Sequence, residues 1–179
     1  LKIFQNIMAM KKSVLLFGIC ATALLSSCAS TSVQKQTIET GKEVRGSWTL
    51  TNVDYAGLAT NQIQGTVKVN ETVAQVFDTA SPACYEGSSW TLVQNNKKGT
   101  YTFNAGAQCP TGTAEIIWNL VQDGSTTYFT FKDVTGIKAK QNTAGYKLKV
   151  DYVTANSMRL VQDVNNGGKI AQVIYTFQR

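Results

Sequence analysis

Residues 113–134 read TAEIIWNLVQDGSTTYFTFKDV, and this stretch decides the fold. Ile116, Trp118 and Leu120 alternate with Glu115, Ile117 and Asn119; beyond Asp123-Gly124, Phe129 and Phe131 alternate with Thr130 and Lys132. Alternation with period two marks a strand with one buried face, because successive side chains leave a pleated strand on opposite sides. Asp-Gly between two such runs is a tight-turn signal, since the turn requires positive φ. The stretch reads as a β-hairpin with an aromatic inner face.

The same pattern extends in both directions. Gly145–Val153 (GYKLKVDYV) and Ser157–Val164 (SMRLVQDV) flank Thr154-Ala155-Asn156, and Asn165-Asn166-Gly167-Gly168 turns into Lys169–Gln178 (KIAQVIYTFQ). Their inward residues are Leu148, Val150 and Tyr152, then Ala171, Val173, Tyr175 and Phe177. Ile170 and Ile174 make the other side of the last strand apolar as well, either as an edge covered by the N-terminal segment or as a patch for a partner. Upstream, Ser88–Gln94 (SSWTLVQ) and Thr100–Asn104 (TYTFN) flank the polar loop Asn95-Asn96-Lys97-Lys98-Gly99, and Arg45–Tyr55 (RGSWTLTNVDY) is the first strand. Ile63–Val69 and Val73–Phe77 are weaker strand candidates that either complete the sheet or lie over it as a lid. Asp78–Gly87, with Pro82 and Cys84, reads as a loop with room for one helical turn. No segment carries a helical period over ten residues. Consecutive hairpins make a meander, and eight twisted strands with one apolar face close on themselves and so remove their edges. The fold expected over residues 44–179 is all-β, an eight-stranded up-and-down antiparallel β-barrel.

The start of the chain reads as an address. Lys11-Lys12 is a basic n-region, and Ser13–Leu24 (SVLLFGICATAL) is an apolar run too short to span a bilayer, which takes roughly 20 residues. Leu25-Ser26-Ser27-Cys28 resembles the lipobox cut by bacterial lipoprotein signal peptidase. The resemblance implies a signal peptide over residues 1–27, cleavage before Cys28, a diacylglyceryl thioether on its sulfur, and acylation of its amino group by a fatty acid such as palmitate. Residues 1–9 read as an upstream extension, with Met8 or Met10 as initiator, and residues 28–43 as a lipidated flexible tether. The expected location is the cell envelope, most simply the outer membrane facing the periplasm, because Ala29 is not the Asp that retains many lipoproteins at the inner membrane. The chain carries 17 Lys and Arg against 11 Asp and Glu, but Lys2, Lys11 and Lys12 precede Cys28, which leaves 14 against 11. That small excess over 152 residues is no nucleic-acid footprint.

Cys84 and Cys109 remain beyond the anchor, each close to a proline. An oxidising compartment makes them a candidate disulfide, closing a loop of about 26 residues worth roughly 3.5 kcal/mol in the chain-entropy model. Two free thiols, or a metal pair short of ligands, are the competing readings. The chain has no histidine. This excludes Ser-His-Asp and Cys-His catalysis, histidine zinc sites and imidazole pH switches. The carboxylates are scattered, with no pair that suggests glycoside hydrolysis. No catalytic residue, metal ligand or cofactor site is expected, and the chain does not read as an enzyme.

Gly46-Ser47-Trp48 resembles the Gly-X-Trp signature that opens the lipocalin barrel. The wider stretch, with Cys84, Ser89-Trp90, Asn95-Asn96, Gly99-Thr100-Tyr101, Cys109-Pro110 and Tyr175-Thr176-Phe177, is similar to lipocalin-like lipoproteins of Gram-negative envelopes over about 130 residues. The resemblance implies a lipocalin-like (calycin) barrel. It also implies that Gly46 and Trp48 close one end of it, the tryptophan against an arginine from a late strand, Arg159 or Arg179. Trp90, Trp118, Phe129 and Tyr152 are candidate ligand-lining residues, or else plain core. Lys138, Lys140, Lys147 and Lys149 could meet lipid headgroups or an anionic glycan, or form a solvated face. Two functions are expected from this. One is carriage of a small apolar or amphipathic molecule inside the barrel; the other is a filled barrel that contacts an envelope partner through its surface. An open cup of several hundred Å³ favours the first and a packed interior the second.

Overall fold

The computed structural model describes residues 41–58, 60–63, 66–69, 73–104, 106 and 108–179. The expected signal peptide, Cys28 and all but the last residues of the tether lie outside the described residues. Among the described residues, ten strands and one short helix follow in order: β1 (Gly46–Ala56), β2 (Thr60–Ile63), β3 (Thr66–Val69), α1 (Pro82–Tyr85), β4 (Ser89–Leu92), β5 (Lys98–Thr102), β6 (Thr113–Asp123), β7 (Thr126–Asp133), β8 (Tyr146–Val153), β9 (Ser157–Asn166) and β10 (Lys169–Gln178). Eight of them close an antiparallel up-and-down barrel in the order β1-β10-β9-β8-β7-β6-β5-β4. β2 and β3 pair only with each other, as a separate two-stranded sheet outside the barrel.

β1 closes the barrel. Gly46–Thr49 pair with β4, and Thr49–Ala56 pair with β10. β4 and β5 are only four and five residues long. The wall beside the upper half of β1 is therefore completed by the chain before β4: Leu50 N–H donates to Ser88 O (2.9 Å) and Gly87 N–H to Leu50 O (2.7 Å).

The inward face follows the alternation, with Ile116, Trp118, Phe129, Phe131, Leu148, Val150, Ala171, Val173, Tyr175 and Phe177 all buried. Three departures have physical causes. A register shift between Val150 and Tyr152 turns Val153 inward and leaves Tyr152 half-buried; a bulge adds one residue and flips every side chain beyond it. Val73–Phe77 is not a strand; apart from one bridge, Val76 to Ala80, it runs irregularly toward α1. Gly99 is not a turn residue but lies inside β5. A Cβ there would stand 2.6 Å from Thr91 O, so only glycine lets β4 and β5 approach. Lys97 (φ 56°) takes the left-handed turn position instead.

Candidate functional site

One end of the barrel is sealed by the strands that form it. Gly46 has φ 112°, a conformation open to glycine, and lies against the Arg179 guanidinium. That guanidinium stacks 4.0 Å from the Trp48 ring centroid and donates to the carbonyls of Glu43, Arg45 and Ala155. Trp48 Nε1 donates to Val44 O (2.8 Å). Arg179 is thus the arginine of the closed end. Arg159 instead pairs with Asp151 on the outer wall (3.6 Å).

The interior is full. A void of about 10 Å³ among its rings is bounded by Phe77, Trp90, Leu92, Phe129, Leu148 and Leu160 among others. That is room for one water at most, and an apolar lining keeps it dry. Trp90 and Phe129 therefore line the barrel as core. Trp118 stacks on Phe129 (5.8 Å) and donates Nε1–H to Lys98 O (3.0 Å), away from that void. Trp90 Nε1 donates to the buried Ser88 Oγ (2.9 Å). Every indole N–H is used inside the protein. Tyr152 does not join the other three; its hydroxyl lies 3.4 Å from Ser157 Oγ.

The other end, the mouth, is sealed by residues 73–88. Phe77 enters the barrel and meets the rings of Tyr85, Phe131, Tyr146 and Tyr175 at 4.9–5.6 Å. Phe77 and Asp78 both have left-handed φ, 52° and 50°, each costing on the order of 1 kcal/mol or more. Tyr146 donates its hydroxyl to Phe77 O (2.7 Å). The segment is tied to the β5–β6 loop by the Cys84–Cys109 disulfide, Cα–Cα 5.4 Å. The sequence left Val73–Phe77 open between a strand and a lid and did not single out Phe77, because VAQVF alternates like a strand.

Burial holds the phenols of this region neutral. Desolvation, then the charge of Asp133, pushes Tyr101 up to about 12. Desolvation, then Asp78, does the same to Tyr146. Tyr85 and Tyr175 are raised further, by desolvation first, and Tyr55 is raised by desolvation and Glu86.

An apolar opening lies on the outside of the barrel wall. A groove of about 460 Å³ runs over β4, β5 and β6 under residues 134–139, with Val93, Ile117, Val134, Ile137 and Ala139 along it and Lys98 and Glu115 at its sides. Val93 and Ile137 are 43% and 48% exposed. The overlying segment is pinned by Val134 N–H to Glu115 O (2.7 Å) and by Lys132 Nζ to the carbonyls of Ala139 and Asn142. The expected lysine cluster is dispersed. Lys147 pairs with Asp123 and the Tyr128 ring, Lys149 is exposed on the same wall, and Lys138 and Lys140 belong to the β7–β8 loop. On β10, Ile170 is 64% exposed while Ile174 is covered. Among the described residues no three Cys, Asp or Glu side chains come together as a metal site. No family model, no curated protein and no solved structure matches the chain.

Proposed function

We propose that this protein is a lipid-anchored lipoprotein of the cell envelope, in the manner of the lipocalin-like lipoproteins, that works as a non-enzymatic interaction module through its outer wall. One observation carries the reading: the void among the rings inside the barrel is about 10 Å³, whereas the groove on the outer wall is about 460 Å³. Ligand sites of drug-like size take several hundred Å³. The groove offers half-exposed apolar side chains between one cation and one carboxylate, which suits an apolar segment of an envelope partner with polar flanks. Support for the anchor lies in the leader and lipobox. Gly41 lies beside Trp118 and Lys97 near the closed end.

The test is photo-crosslinking in intact envelopes of the producing cell, with the photoreactive residue at Val93 or Ile137 and, as control, at Gln172 on the far wall. A discrete adduct from the groove positions alone supports the reading. A small molecule retained at one equivalent by the native protein in mass spectrometry, with no groove adduct, refutes it in favour of carriage. Cys28→Ser should abolish metabolic labelling by palmitate; label retained by that variant removes the anchor.

A further inference from the structure

The segment that fills the mouth is fastened by a single covalent bond, and that bond is open to attack. Cys84 lies in α1 and is buried, while Cys109 is half-exposed. The disulfide borders an open concavity of about 740 Å³ walled by Ala74, Thr79, Ala80 and Ala83 on one side and by Gln108 and Pro110 on the other. Ser81 Oγ–H points at Cys84 Sγ (3.5 Å). Inside, Phe77 stands where the lumen of an open barrel would be, and its backbone is left-handed.

We propose that residues 73–84 are a redox-released plug, hinged on the wall residues Gly87 and Ser88: a dithiol reductant docks in this concavity, opens Cys84–Cys109, and frees Phe77 to leave an apolar cup. The reductant's thiolate attacks the more exposed sulfur, Cys109, forming a mixed disulfide there. The electron pair of the broken bond leaves on Cys84 as thiolate, beside the Ser81 hydroxyl. The reductant's second thiol, as thiolate, then displaces Cys109, so that one protein disulfide and one dithiol give two protein thiols and one oxidised reductant. Phe77 and Asp78 leave their left-handed conformations as the segment lifts. The contacts that Phe131, Tyr146 and Tyr175 make with the Phe77 ring are made again by an incoming apolar molecule, which draws the equilibrium toward the open form. This goes beyond the surface role above: it makes the filled interior one of two states.

The test is hydrogen exchange of the full chain read by mass spectrometry, oxidised and reduced with dithiothreitol, with anilinonaphthalene sulfonate as probe. Reduction should speed exchange of residues 73–84 about tenfold or more while β6–β10 stay protected, and one equivalent of probe should bind saturably. Unchanged protection of 73–84 overturns the proposal. So does loss of protection across β6–β10 at the same time, which would make the bond a staple of the whole barrel. Phe77→Ala with the bond intact should take up the probe without reductant. A folded variant that takes up none, or a variant that unfolds, also overturns it.

Discussion

At the closed end, Trp48 is held by Arg179 and by the Val44 carbonyl, all contributed by the barrel strands or the turn leading into them. At the mouth, Phe77 is delivered by an irregular segment, in a left-handed backbone, behind a disulfide. Both ends bury a large aromatic ring. Only the first is sealed by groups whose removal must disturb the strands themselves. The difference separates a structural plug from a removable one, although burial alone would rank Trp48 and Phe77 together.

Three perturbations bear on this contrast. The largest effect is expected from Trp48→Ala, a loss of about 3–5 kcal/mol in urea unfolding, seen as one transition for all strands. A loss confined to β1 would dissolve the contrast. Next, Arg179→Met should cost roughly 1–2 kcal/mol through the lost stacking and carbonyl hydrogen bonds, and its urea midpoint should fall without a change in slope. The most local effect is alkaline. The phenols with raised pKa values, Tyr101 and Tyr146 at about 12 with Tyr85, Tyr175 and Tyr55, all lie toward the mouth. An unfolded tyrosine ionises near 10, so the folded state holds its proton longer. This stabilisation is complete below pH 10 and is lost as pH rises through about 12 for Tyr101 and Tyr146, and later for Tyr85 and Tyr175. Exchange measured at matched intrinsic rates should show residues 73–84 loosening first as pH rises above 10, with the closed end following. Simultaneous loosening would show that the ends are one cooperative unit.

Much of the barrel was legible because one-faced burial writes itself into alternation: 113–134 became β6 and β7, with the turn at Gly124 (φ 58°). What was not legible depends on distant neighbours. The bulge at Asp151 arises from pairing with β9, and pattern alone cannot place an added residue. Gly99 looks like a turn glycine until Thr91 O is seen beneath it. Arg159 and Arg179 are equivalent on paper; Asp151 takes one and the closed end takes the other. Phe77 was hidden by its strand-like context. The outer groove was hidden because Val93, Ile117 and Ile137 read as ordinary outward residues until residues 134–139 fold over them.

Barrel closure also sets a clock. β1 finds its long partner in β10, with Thr49 opposite Gln178. A chain that emerges amino end first can pair Trp48 with β4 early, but leaves Asn52–Ala56 without a partner strand until β10 follows. Pairing across such a separation is slow, and exposed strand edges and aromatic rings invite aggregation meanwhile. Any factor that escorts this chain would have to shield its beginning until its last strand arrives.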